Sequence, residues 1–309
     1  MSKALSSQEA LFSGGGEMGA LMRAFDWAKT SIGPVEQWSP SLRTAVGILL
    51  HSRYPMFLWW GPDLIQLYND AYRPSLGSDR HPSALGRPGR EDWGEIWPII
   101  GPMVESVLGG GEATWSEDQL IPITRQGFLE EVYWTFSYSP VLEDDGTVGG
   151  VLVVCSESTR QVRAERRLRT LAGLTSEVID AKTAEEIVTI TARVLTENPA
   201  DLPFALLYTL SPESNQLRLA TTVGLAPGTA ASPLLVDLSN ASLPVPDRWD
   251  LQSVLKTRTS VLIEDASARF GNLPGGIWDV PSTSALVLPL LMAGHPHPFG
   301  VLVVGISPG

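Results

Sequence analysis

Cysteine is nearly absent from this chain. Cys155 is the one thiol among 309 residues. That excludes an internal disulfide framework and a multi-cysteine metal site, and it makes a reducing cytoplasm the simplest setting. Positive charge is scarce too: 22 Lys and Arg stand against 34 Asp and Glu, for a formal net charge of -12 and a pI of about 4.8. A surface of that sign repels phosphate backbones and anionic headgroups, so neither nucleic acid nor a membrane surface is expected as a partner. No apolar run approaches the ~20 residues that span a bilayer. Residues 1–30 lack a basic stretch followed by an apolar block, so no secretory signal is expected.

What is present is ample core material. Hydrophobic residues make up 43% of the chain and the mean hydropathy is +0.06. At roughly 100–200 residues per domain, two domains are expected. The organising stretch is Pro55–Gly77, PMFLWWGPDLIQLYNDAYRPSLG. Two β-prone runs, Met56–Trp60 and Leu64–Tyr68, flank Gly61–Pro62–Asp63, which is turn chemistry, so a hairpin is expected. Asn69 and Asp70 follow, placed to accept hydrogen bonds from the free N–H groups of the next turn.

Before this hairpin, residues 1–16 are polar and end in Gly14–Gly15–Gly16, the pattern of a flexible arm. Met18, Leu21, Met22 and Phe25 form a helical stripe. Ser39–Pro40 reads as an N-cap with Pro at the first helical position, opening a second stripe of Leu42, Ala45, Val46, Leu49 and Leu50. These leader helices either pack on the sheet or pair with a second subunit, and the sequence does not decide between the two. After the hairpin, Trp93, Ile96, Trp97, Ile100, Met103, Val104 and Val107 recur at helical spacing. Pro98 and Pro102 lie within that run, which predicts a kinked or broken helix. Three β runs follow: Glu112–Pro122, Phe128–Pro140 and Val148–Glu157, the last expected to be central. Val132, Trp134, Phe136 and Tyr138 alternate with Glu131, Tyr133, Thr135 and Ser137. An antiparallel five-stranded sheet with helices on one side satisfies this order.

From Arg160 to Ala181 a linking helix is expected, with Ser158 and Gln161 set for a capping box. Ala164, Leu168, Leu171, Thr175 and Val178 are spaced 4, 3, 4, 3 along it, which is heptad spacing over little more than two repeats. With five Arg nearby, the segment is either a solvated face or a dimeric signalling helix. A further helical stripe runs from Ala184 to Leu195. Then come a hairpin (Phe204–Leu210 with Gln216–Val223), a loop over 224–249, a helix at Leu251–Thr257, a strand at Ser260–Ile263, and a terminal hairpin (Ala285–Met292 with Pro298–Ile306).

The run LIQLYNDAYRPSLG resembles the second strand and first helical turn of PAS sensor domains, through Tyr68, Asn69, Ala71, Tyr72 and Gly77. Glu157–Ser158–Thr159 is similar to the acidic-x-Thr close of many such domains. The likeness spans about residues 50 to 159. Pro203–Tyr208 with the Leu286–Leu302 pair resembles a GAF domain over about residues 165 to 309, except that GAF domains usually end in a helix and this sequence stops at Gly309. The expectation there is a fragment or an incomplete last domain. Residues 16–61 add to a likeness with the sensory half of bacterial PAS–GAF hybrid sensor histidine kinases. The resemblance implies an α+β chain of two sensor domains: an arm with amphipathic helices (1–50), a PAS-like domain (51–159), a linking helix (160–181) and a GAF-like domain (182–309). It implies a homodimeric, cytoplasmic input module of a two-component system, relaying a signal to a kinase core in the parent chain. The alternative is a free-standing small-molecule-binding protein.

Catalysis is not expected of this chain. None of His51, His81, His295 and His297 stands in a phospho-acceptor box, and His295 and His297 flank Pro296 in a turn rather than completing a metal site. Cys155 lies in a strand, where a small buried thiol is the default, and no Cys follows residue 165 to hold a bilin. The run 93–108 offers no His for haem. No covalent cofactor is expected, while a non-covalent ligand stays open. Glu130–Glu131 and Glu117–Asp118 alternate faces and read as solvent-side charges. The aromatic inventory is either a large core or a ligand cleft, since such clefts are mainly apolar with a few polar groups. As a cleft it would use Phe57, Trp59, Tyr68, Trp97, Trp134 and Phe136, with Asn69, Tyr133 and Ser137 orienting a guest.

Overall fold

The computed structural model describes residues 7–125, 128–179, 181, 183–211, 213–238, 247–291, 294 and 297–308. The chain divides into two compact units, Met1–Val162 and Arg163–Gly309. Each is an antiparallel sheet flanked by helices.

The first unit opens with α1 (Ser7–Leu11), α2 (Gly16–Ala24), two 3-10 turns (Trp27–Lys29, Val35–Gln37) and α3 (Pro40–His51). Ser39 accepts a hydrogen bond from the Leu42 N–H at 3.2 Å, with Pro40 in the first helical turn. Helix α2 has no cap of its own. Asp70 supplies one from across the chain, accepting from the N–H groups of Glu17 (3.0 Å) and Met18 (2.9 Å). Gly16, at φ +62°, approaches that carboxylate so closely that a Cβ would strike it. The leader packs on the sheet: Phe12, Met18, Met22, Val46 and Leu49 are fully buried in the core of this unit.

β1 (Met56–Trp60) and β2 (Ile65–Tyr68) form the expected hairpin, with Phe57 opposite Tyr68 and Trp60 opposite Ile65. Next come α4 (Arg73–Arg80), which breaks at Gly77 (φ +66°), then α5 (Gly89–Asp92) and α6 (Trp97–Leu108). Of the kink or break predicted around Pro98 and Pro102, the break is absent: Trp97–Leu108 is a single run. Pro98 lies in its first turn, where an N–H has no partner anyway, so Pro102 forfeits only one bond, near the start.

β3 (Thr114–Leu120), β6 (Tyr133–Leu142) and β7 (Val148–Glu157) complete a sheet of order β2-β1-β7-β6-β3, and between β3 and β6 the chain forms a separate short hairpin, β4 (Ile123–Arg125) with β5 (Phe128–Glu130). That hairpin takes the front of the run read as one strand from Phe128. β7 is central, as expected. Helices lie on both faces, not one. Every β1 residue is buried; α6 packs on β6 and β7, and α3 contacts β1, β6 and β7. Period-2 alternation makes both covers necessary. Glu131, expected in solvent, is 2% exposed and accepts the Tyr133 hydroxyl at 3.0 Å.

Helix α7 (Thr159–Val178) starts at the end of β7. Its start differs from the capping box expected at Ser158: that hydroxyl makes no hydrogen bond. Instead Thr159 Oγ1 accepts the Tyr133 N–H (3.0 Å) and donates to Glu157 (3.1 Å), tying the helix to β6. The capping box is at α8 (Ala184–Thr196), where Thr183 and Glu186 cap each other's backbone N–H.

The second unit continues with β8 (Ala205–Ser211), β9 (Gln216–Val223), β10 (Leu235–Asp237), α9 (Leu251–Thr257), β11 (Val261–Ile263), α10 (Ala266–Phe270), β12 (Ala285–Leu290) and β13 (Gly300–Gly305). Its sheet order is β10-β9-β8-β13-β12-β11. β10 falls within the segment read as loop, and α10 had no counterpart in the sequence reading. Both are short, below the length at which periodicity speaks.

Candidate functional site

The first unit holds a cavity of about 40 Å³ between the sheet and the α5–α6 side. Phe57 and Trp59 of β1, Trp134, Phe136 and Tyr138 of β6, and Val153 and Cys155 of β7 form its floor. Tyr72, Trp93, Ile96 and Ile100 close the other side, with Ile121 and Ile123 at one end. The rings interlock: Phe57 lies 4.8 Å from Trp59 and 4.7 Å from Tyr72, and Phe136 lies 5.1 Å from Tyr138. The lining carries no charged side chain. Burial pushes the Cys155 thiol up to about 12 and raises the Tyr138 phenol, so both stay protonated at neutral pH. Such a lining offers binding, with no nucleophile and no acid–base pair.

Phe57, Trp59, Trp134 and Phe136 are therefore together, as a cleft requires. The other expected site residues lie elsewhere. Trp97 sits behind Trp59, ring centroids 5.7 Å apart, with the Arg90 guanidinium 4.8 Å from its own. Tyr133 and Ser137 face the opposite side of the sheet, where Ser137 meets Ser139 at 3.4 Å. Asn69 is 1% exposed and fully engaged. Its Oδ1 accepts from the N–H groups of Met56 (3.1 Å) and Tyr72 (3.0 Å), and its Nδ2 donates to the carbonyls of Leu49, Ser52 and Tyr54 (3.1, 3.2 and 2.7 Å). It closes the turn, as its cap position suggested, and has nothing left for a guest. Tyr68 is bound through its hydroxyl to His81 Nδ1 (3.0 Å), whose Nε2 meets Glu17 (3.3 Å); burial, ahead of neighbouring charges, raises its phenol.

Sequence reasoning missed Gln66. It is the polar residue of an otherwise apolar strand, fully buried, and its Oε1 accepts the indole N–H of both Trp59 (2.9 Å) and Trp93 (2.8 Å). An isolated Gln at an inward strand position was the available signal.

In the second unit, one face of α7 is anchored. Arg166 grips Asp201 with Nε at 2.9 Å and Nη2 at 2.7 Å, Asn198 donates to Thr170 at 3.0 Å, and a Cβ on Gly173 would lie 3.4 Å from Val194 of α8. The heptad-spaced stripe lies away from that face. Ala164, Leu168, Leu171 and Thr175 are exposed and Val178 is partly covered; Leu168 and Leu171 are 64% and 60% exposed. Burial works to raise the Asp201 carboxyl, but hydrogen bonds from Arg166 and Asn198 outweigh it and hold the group below the usual range. A depressed carboxylate lends stability that is complete above its unfolded value of about 3.9 and is lost as pH falls through the folded one. Asp201→Asn is expected to remove about 1.5–3 kcal/mol at pH 7 and to flatten the loss below pH 4. Urea midpoints of the second unit from pH 3 to 7 test this; parallel curves for both proteins would refute it.

Among the described residues, no three His, Cys, Asp or Glu side chains cluster to hold a metal, and no helix is long and apolar enough to cross a membrane. His295 lies outside the described residues.

No family model matches the chain, and no curated protein matches it. Similar solved structures include the GAF domain of an Acinetobacter phosphoenolpyruvate-protein phosphotransferase, at 22% identity and TM-score 0.33, covering 46% of this chain and 77% of that one. A sensory box sensor histidine kinase from Vibrio cholerae matches at 15% identity and TM-score 0.28, over 34% and 81%. Residues 122 to 287 of a methyl-accepting chemotaxis protein match at 18% and 0.29, over 42% and 77%. At these scores the likenesses carry no functional weight, which leaves the chain's own geometry.

Proposed function

We propose that the chain is the sensory input module of a two-component histidine kinase, with a PAS-like first unit, a GAF-like second unit and α7 as the relay. The observation that carries this reading is α7 itself: one face is anchored by Arg166, Thr170 and Gly173, while a heptad-spaced apolar stripe lies open on the other. An amphipathic helix with its apolar face in water favours a partner, and a second copy supplies a matching stripe.

The input end lies in the aromatic cavity. Cys155 and Val153 of its floor are on β7, which leads into α7, and Trp134 is next to Tyr133, whose N–H holds Thr159. A guest that favours one packing of β6 and β7 therefore acts on the first turn of α7, in proportion to its differential affinity for the two packings. Phosphotransfer would be the task of a kinase core in the parent chain, in a cytoplasmic setting.

The test is Leu168→Asp with Leu171→Asp, sized by light scattering. The wild-type chain is expected to be a dimer and the double variant a folded monomer, with a melting temperature lowered by the loss of the dimer. A variant that stays dimeric overturns the relay. The uncharged cavity favours a second reading, a free-standing small-molecule binder; a monomer that releases added mass on denaturation in native mass spectra would select it.

A further inference from the structure

Taking the cavity as the input site, a reading on which this inference rests, the geometry points to Gln66 as a latch that keeps it too small for a guest and to Trp93 as the leaf that opens. At about 40 Å³ the free space is far below the roughly 150 Å³ that holds a benzene ring. A guest therefore enters only if a lining ring moves. Two of the largest lining rings, Trp59 and Trp93, are held by one atom, Gln66 Oε1.

The two indoles are not equally free. Trp59 belongs to β1, paired on both sides by β2 and β7, and its indole is pressed against Gly89, where a Cβ would collide with Nε1. Trp93 caps the end of α5, outside any regular element. Its outer face is covered by the Arg80 guanidinium, 4.6 Å from the ring, and Arg80 is itself held by Glu95 at the surface. Swinging Trp93 thus breaks one indole hydrogen bond and one cation–π contact, while swinging Trp59 disturbs the sheet.

Gln66 is fixed in this orientation by chemistry. Two indole donors need an acceptor, so Oε1 must face them, and Nε2, fully buried, is left without a hydrogen-bond partner. When Trp93 leaves, Oε1 keeps the Trp59 indole as its one donor, so the cost of opening on the Gln66 side is a single hydrogen bond. With no charge in the lining, the guest class is a flat, uncharged, largely apolar molecule.

Fluorobenzene is the probe, followed by ¹⁹F line broadening in the full chain. Gln66→Met removes the acceptor at similar volume and is expected to bind the probe at least tenfold more tightly than wild type. Trp93→Phe removes one latch bond, keeps a ring, and is expected to gain in the same direction, which covers the case in which Gln66→Met fails to fold. Trp93→Ala opens the cavity outright. If Trp93→Ala binds while Gln66→Met and Trp93→Phe match wild type, the cavity is real and the latch is refuted. If Trp93→Ala, folded by circular dichroism, also fails to bind, the latch falls together with the cavity as input site.

Discussion

Replacing Asn69 by Ala is expected to lower the stability of the first unit by about 2–4 kcal/mol. The side chain has five partners, and the fate of each after its removal sets the size of the effect. The carbonyls of Ser52 and Tyr54 are near the surface, where water takes over. The Met56 N–H is buried and would be left without a partner, at about 1–3 kcal/mol before relaxation; the Tyr72 N–H keeps the Asn69 backbone carbonyl (3.1 Å) and the Leu49 carbonyl keeps the Ser52 N–H (3.3 Å), so each of these loses one of two bonds, at about 0.5–1.5 kcal/mol. Asn69→Asp separates the two halves of the role. It keeps the acceptor for Met56 and Tyr72 and replaces the donor with an oxygen facing three carbonyls, so it is expected to be no better than Ala. Urea unfolding read by probes in each unit tests both variants. A loss below 1 kcal/mol for Ala would show that the turn is held by packing.

Trp249→Ala is expected to act on the other unit with comparable force, about 4–5 kcal/mol. Trp249 is 2% exposed, stacks on Phe270 of α10 at 4.0 Å, lies 6.1 Å from Phe204, and donates to the Ala231 carbonyl at 2.6 Å. It joins the 224–238 segment to α10, beside the Gln252 Nε2 bond to the Leu238 carbonyl at 3.0 Å. Truncation leaves a cavity and strips a carbonyl of its donor. The transition of the second unit should move to lower urea while that of the first stays in place. A common shift in both would mean that the units unfold as one cooperative body.

The elements most legible in the sequence are those whose local chemistry and tertiary role agree. The β1–β2 hairpin announces itself through Gly61–Pro62–Asp63, the α3 start through Ser39–Pro40, and Asn69 through its cap position. The α7 stripe was readable because heptad spacing is a property of one segment. What was illegible depended on distant partners. The leader's place against the sheet rests on Asp70, more than fifty residues away. Glu131 is the exception: its partner Tyr133 is two residues on and on the same face, but a Glu–Tyr pair carries no sign of burial in the sequence. The floor of the cavity was largely foreseen, since alternation puts Trp134 and Phe136 on one face. The same alternation, properly applied, excludes Tyr133 and Ser137 from that face. Gln66 escaped because its meaning lies in two indoles, one of them 27 residues downstream.

The borrowed cap on α2 also sets a schedule for synthesis. A ribosome delivers Phe12, Met18 and Met22 well before it delivers Asp70, and 46 residues separate the end of α2 from that carboxylate. At ~5–20 residues per second the nascent leader waits roughly 2–9 s with its helix uncapped and its apolar side chains uncovered. During that interval it is a client for a holding chaperone. Codon usage between residues 25 and 70, which alters nothing in the finished protein, then governs how long the exposure lasts.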